Sequence, residues 1–130
     1  MPDGEPACRF SLPIPPSTNH LFSSVAGRNG NAAARRAKTA LYKRWLVDAG
    51  WELKAQHAIP AEPIGGRLRV LIEAPLHDRR DLDNALKPLL DLIGCGKNGM
   101  RIIVDDSLID DLRIIRATIG ERVTVSIWVI

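Results

Sequence analysis

Three observations predict an α+β fold. Short segments of alternating apolar residues recur along the chain, two other segments space their apolar residues as helices do, and there is no internal repeat or low-complexity run. A length of 130 residues suits one domain and is enough to bury one apolar core without staples. Residues 1–130 are therefore read as a single small domain, a mixed sheet of about four strands with one long and one short helix.

Residues 9–14 alternate loosely and stop at Pro15-Pro16, so they read as a first strand. Ser17-Thr18-Asn19-His20 is a polar turn, and residues 26–30, with two glycines, form a loop. The pattern turns helical over 32–57, where Leu41, Trp45, Ala49 and Leu53 recur every four residues and the basic residues fall mostly on other faces. Gly50 is a point of weakness in this helix. Pro60, Pro63 and Gly65-Gly66 mark a second loop.

Leu68, Val70 and Ile72 then alternate with Arg67, Arg69 and Glu73 in a half-buried strand over 67–74, closed by Pro75. A short helix is predicted over 84–93, with Leu86, Leu89, Leu90 and Ile93 on its apolar side. The glycines at 94, 96 and 99 break it. Residues 108–118 and 122–130 read as two strands of a hairpin around Gly120-Glu121. In the last strand Val123, Val125, Ile127 and Val129 share one face. Trp128 lies on the other, mostly polar face, which suggests an interface. Trp45 fits the helix stripe, and Trp51 reads as core or interface.

Hydrophobic residues make up 45% of the chain and charged residues 25%, which excludes a disordered chain. No apolar run approaches the roughly 18 residues of a membrane span. The start, Met-Pro-Asp-Gly-Glu, lacks the basic and apolar regions of an export signal, so secretion is not expected. Cys8 and Cys95 make neither a disulfide framework nor a ligand set, in keeping with a reduced cytoplasm.

The net charge is only +3, but its layout is uneven. All six charges from Arg28 to Arg44 are positive: Arg28, Arg35, Arg36, Lys38, Lys43 and Arg44. Eight of the ten aspartates lie between Asp78 and Asp111, with no glutamate among them. The basic arm reads either as a solvated helix face or as a stripe that attracts phosphate backbones.

The densest chemistry is His77-Asp78-Arg79-Arg80-Asp81-Leu82-Asp83-Asn84, where the second strand meets the short helix. Side chains two apart in an extended segment point the same way, about 6.6 Å apart. Asp81 and Asp83 can therefore present two carboxylates to one space. Asp83 also stands at the expected helix N-cap, with Lys87 four residues on along the same face. Asp91, four after Lys87, can pair with it.

Two carboxylates about 5 Å apart, at an effective dielectric of about 20, repel by about 3 kcal/mol. A divalent cation, Lys87, or Arg79 and Arg80 would offset this. All-oxygen ligands favour Mg²⁺ or Mn²⁺ over zinc. Such an ion can neutralise charge on a phosphate under attack. Arg79 and Arg80 flank the carboxylates as candidates for phosphate contact or for salt bridges to Asp78 and Asp81. A second pair, Asp105-Asp106, follows the apolar run Ile102-Ile103-Val104 and reads either as a third ligand or as a solvated turn. Asp110-Asp111 reads as surface charge.

Arg80-Asp81-Leu82-Asp83-Asn84 with Lys87, then Asp105-Asp106-Ser107, resembles the RusA family of Holliday junction resolvases. Leu12-Pro13-Ile14-Pro15-Pro16-Ser17-Thr18-Asn19-His20 is similar to that family's opening strand and turn. The resemblance runs from about residue 10 to the C-terminus. It implies a RusA-like fold and a Mg²⁺-dependent endonuclease acting as a homodimer on four-way DNA junctions by paired nicks, with Mn²⁺ as a substitute and no small-molecule cofactor. It also implies Asp81, Asp83 and Asp106 as metal ligands, Asp105 as their neighbour, and Lys87 at the scissile phosphate. Arg79, Arg80, Arg28, Arg35, Arg36, Lys38 and Asn19 become DNA contacts.

The stretch 94–101 departs from the family by its length, and its glycines predict mobility beside Asp106. It is not a phosphate-binding P-loop, because Asn98 stands where Ser or Thr should follow the lysine. The residues by themselves also allow a module that binds branched DNA without cutting it. Equally they allow a metal-dependent nuclease acting on flaps, forks or duplex.

Overall fold

Four strands share one sheet: β1 (Cys8–Pro13), β4 (Leu68–Ala74), β5 (Ile109–Arg116) and β6 (Arg122–Val129). The computed structural model describes residues 4–16, 22–25, 35–76, 85–118 and 120–130, and in 22–25 and 35–38 the backbone alone. The sheet order is β1-β6-β4-β5, with β4 parallel to β5 and antiparallel to β6, and β1 antiparallel to β6. A separate antiparallel pair is formed by β2 (Phe22–Val25) and β3 (Arg35–Lys38).

Period-two alternation decides which sheet face is dry. Leu68, Val70, Ile72 and Ala74 of β4 are buried, as are Phe10 and Leu12 of β1 and Val123, Val125 and Ile127 of β6. Against this face pack two helices, α1 (Ala40–Ala55) and α2 (Leu86–Ile93). Thr39 caps α1 by accepting the Tyr42 N–H at 3.2 Å. Trp45 Nε1 donates to the Pro13 carbonyl at 2.9 Å, and the Gln56 side chain makes two bonds to the Ser11 backbone. The long helix is thus tied to β1 at two heights.

The structure changes several sequence readings. The long helix begins at Ala40 and not at 32, because 35–38 pair with β2. Arg35, Arg36 and Lys38 therefore sit on a strand. Leu41 is 54% exposed. A strict four-residue repeat drifts by about 40° per step around a helix of 3.6 residues per turn, so a stripe centred on Trp45, Ala49 and Leu53 loses Leu41 and takes in Tyr42 and Leu46. Gly50 does not break the helix. It is buried where an added Cβ would meet Met100 Sδ at 3.2 Å, so the glycine makes room for that side chain.

The expected hairpin of the last two strands is absent. β4 lies between β5 and β6, and the link after β5 crosses the end of β4, where the Ala117 N–H bonds the Ala74 carbonyl. Alternation marks a strand but does not choose its neighbours, and β4 and β6 bury the most apolar faces at the centre. Val129, at the strand end, is exposed. Trp128 is covered within its own chain, its Nε1 donating to the Gly4 carbonyl at 3.0 Å, whereas Trp51 is 66% exposed and outside the core. Asp110 and Asp111 are surface charges as read, paired with Arg67 and Arg69 across β4 and β5. Among the described residues, no helix is long and apolar enough to cross a membrane.

The revised helix stripe makes a contrast that urea unfolding can read. Leu53→Ala removes a fully buried side chain and should cost about 2–5 kcal/mol. Leu41→Ala should change stability by no more than about 0.5 kcal/mol.

Candidate active site

The site is assembled around α2. Its N-cap is Ala85, not Asp83, and Pro88 fits in the first turn, where its missing N–H has no helical partner to lose. Lys87 also lies in that first turn, which contains no acidic residue. A lysine at the positive end of a helix is disfavoured by the helix dipole, so this end of α2 is set up for an anion. Lys87 Nζ lies 3.6 Å from Asp91 Oδ2 one turn later.

The same Asp91 oxygen accepts a hydrogen bond from the Tyr42 hydroxyl at 2.6 Å. Tyr42 is fully buried on α1, and burial together with the Asp91 carboxylate pushes its hydroxyl well above the ordinary tyrosine range. It therefore remains a donor. Tyr42 holds Asp91 from α1, and Asp91 pairs with Lys87. Sequence spacing identified Asp91 as a partner of Lys87, but Tyr42 carries only the signal of a core residue in the helix stripe.

Beyond α2 the glycine-rich stretch is closely tied down, contrary to the mobility its composition predicts. The N–H groups of Met100, Arg101, Ile102 and Ile103 bond the carbonyls of Leu92, Gly94, Ile93 and Ile93, at 2.6–3.0 Å. Gly99 packs directly on the Gly94 carbonyl, where an added Cβ would collide with backbone. Arg101 turns the chain at φ 59°. Ile102 and Ile103 are fully buried, and the Ile102 carbonyl and Val104 N–H both bond the Ile64 backbone. This anchored apolar run delivers Asp105 and Asp106 to a 3-10 turn, Asp106–Leu108.

Lys87, Asp91, Asp105, Asp106, Lys97 and Asn98 line one open cleft of about 350 Å³. The Ser107 hydroxyl donates to Asp105 at 2.7 Å. That bond, followed by one with the Asp106 side chain, holds the Asp105 carboxyl below its ordinary range. Asp106 is shifted the other way, first by burial, then by Asp105 and by the negative charge of Asp91. A carboxyl whose proton affinity is raised by burial and by acidic neighbours fits an all-oxygen site for a hard cation. Among the described residues no three His, Cys, Asp or Glu side chains complete a metal site. Asp81 and Asp83 lie outside the described residues, as do Arg79, Arg80, Arg28, Asn19, His20, His77, Asp78 and Asn84. For Arg35, Arg36 and Lys38 the backbone position alone is described.

The family model for the endodeoxyribonuclease RusA matches residues 13–128. The chain belongs to the RusA family of endodeoxyribonucleases. One relative in it is the crossover junction endodeoxyribonuclease rusA of Enterobacteria phage HK97, 34% identical over 109 residues, which span 83% of this chain and 81% of that protein. The matched region begins at the last residue of β1 and takes in β4, β5, nearly all of β6, both helices and the cleft of this RusA-family chain.

The anchored loop should be sensitive at one glycine and tolerant at another. Gly99→Ala drives a Cβ into backbone and should cost about 1–3 kcal/mol in urea unfolding. Gly96→Ala meets nothing within 4 Å and should be near neutral.

The raised pKa of Asp106 means that the folded chain binds this proton more tightly than the unfolded chain. Its contribution is most favourable in acid and is lost as pH rises through the raised value. In metal-free buffer Asp106→Asn should therefore raise the melting temperature by about 1–3 °C at neutral pH. The gain should disappear below the ordinary carboxylate range when the two melting curves are compared.

Proposed function

We propose that this chain resolves four-way DNA junctions by paired nicks, as a cytoplasmic homodimer that depends on Mg²⁺, with Mn²⁺ as a substitute. The observation that carries the reading is the convergence of Lys87, Asp105 and Asp106 on one cleft in a RusA-family chain. Asp81, Asp83 and Asp106 would hold the ion, with Asp105 beside them. Asp81 and Asp83 precede Ala85, at the start of α2, by four and two residues. When bound, the ion would supply Lewis-acid stabilisation of charge on the phosphate.

The remaining roles belong to the chain's own side chains. The Lys87 ammonium, steadied by Asp91 and through it by Tyr42, meets the scissile phosphate at the positive end of α2. There it counters the negative charge that grows as water adds to phosphorus and the P–O bond to the leaving oxygen breaks. Asp106, the carboxylate with the higher proton affinity of its pair, is suited to a site that gathers positive charge. Arg79 and Arg80 hold the phosphates next to the cleft, and Arg28, Arg35, Arg36, Lys38 and Asn19 contact the DNA further out. Two copies related by a two-fold axis would present two clefts, as symmetric nicking requires.

Cleavage of a synthetic four-way junction and of linear duplex of the same sequence tests this reading, with Mg²⁺, Mn²⁺ and EDTA compared. Paired, metal-dependent nicks confined to the junction are the expected result. Asp83→Asn should abolish cleavage while junction binding persists or tightens. Lys87→Ala should slow cleavage by about 10²–10³-fold. Equal cutting of duplex would make the chain a general nuclease, and binding without cutting in any metal would overturn the catalytic reading.

A further inference from the structure

A second concave surface adjoins the cleft and has no part in the mechanism above. It is a groove of about 700 Å³ between α1 and the 94–101 loop, lined by Lys43, Val47, Trp51 and Lys54 from the helix and Lys97 and Asn98 from the loop. Among the described residues no acidic side chain lines it. Helical geometry makes this one face: positions 43, 47, 51 and 54 follow one another at steps of four, four and three residues. On that count Asp48 and Glu52 lie about 105° and 145° round the helix from the centre of the groove. Glu52 is moreover paired with Arg122 at 2.7 Å.

The groove joins positive charge to exposed apolar surface. Val47 is 58% and Trp51 66% exposed, and Lys54 Nζ stands 4.9 Å from the centre of the Trp51 ring. Lysines interleaved with an exposed aromatic ring make a surface on which a strand can lay its phosphates and stack a base. Lys97 and Asn98 line both this groove and the cleft, so the two surfaces are continuous.

We propose that this groove is a second nucleic-acid contact. Lys43, Lys54 and Lys97 take the phosphates of the strand leaving the cleft, and Trp51 stacks on a base unpaired at the branch. The inference rests on the reading of the chain as a branched-DNA endonuclease, and its test is independent of cleavage. The length of the 94–101 loop then has a use, since it builds the far wall of the groove and carries Lys97.

The test is equilibrium binding of a fluorescent four-way junction in EDTA, at several salt concentrations. Lys43→Ala with Lys54→Ala should weaken binding and reduce the slope of log affinity against log salt by about two. The control, Arg9→Ala with Arg113→Ala, removes the same charge from the opposite face of the sheet and should leave the slope unchanged. Trp51→Ala should weaken binding about tenfold at constant slope, with Trp51→Phe retaining most of the affinity. All these side chains are removed from the core, and melting curves would confirm that each variant is folded. Equal falls in slope for the two double variants, or no change in any variant, would overturn the groove while leaving the proposed function standing. A wild-type chain that fails to bind the junction would instead overturn the proposed function itself.

Discussion

Everything at the cleft depends on how residues 102–104 are held. Their backbone is bonded on one side to the end of α2 and on the other to Ile64, and Ile102 and Ile103 are fully buried between them. Because Lys87 stands on α2 and Asp105 and Asp106 directly follow the buried run, one set of backbone bonds sets the position of the lysine relative to the carboxylates. Hydrogen bonds alone would leave such a segment exposed to competition from water. Two buried isoleucines remove that competition, so a glycine-rich connection can end in a defined place. The core and the site are thus coupled through backbone, and Lys87, Asp105 and Asp106 remain on the surface, open to solvent.

The electrostatics of the cleft work against local stability. A lysine occupies the end of α2 that favours anions, and Asp91, Asp105 and Asp106 face a common space. Ser107 relieves Asp105, Asp91 pairs with Lys87, and Tyr42 donates to Asp91. These contacts offset the strain without cancelling it, since Asp106 still holds its proton more tightly than a free carboxylate. Burial comes first among the causes and the neighbouring carboxylates after it, and a cation at the cleft would relieve both. The neighbouring groove has the opposite character, its charged lining residues being lysines set among apolar ones, and the two surfaces meet at Lys97 and Asn98.

The elements that local spacing describes well are those whose burial is one-sided. In β4, Leu68, Val70, Ile72 and Ala74 alternate with polar or less buried residues because one face meets the helices, and the chain records that directly. The Lys87–Asp91 pair was legible for the same reason, being separated by one helical turn. Tyr42 was not legible as a member of the site, because its hydroxyl meets Asp91 across 49 positions of sequence. The 94–101 loop misled in the other direction: its glycines suggest freedom, whereas Gly99 is there because backbone packs on backbone. The same loop hid the groove, since Lys97 and Trp51 are brought to one surface only when α1 and α2 have packed.

The sequence by itself determined the α+β class, the positions of most strands and both helices, and, through the motifs from Asp81 to Asp106, the RusA family to which the chain belongs. These follow from interactions within a few residues, where covalent geometry and periodicity leave few choices. Tertiary structure alone decided that β6 inserts between β1 and β4, that residues 35–38 are strand and not helix, and that Asp105 and Asp106 open into the same cleft as Lys87. Strand neighbours and cleft partners are chosen by long-range burial. The free energy of that burial depends on which surfaces meet, a quantity that no local window of the chain contains.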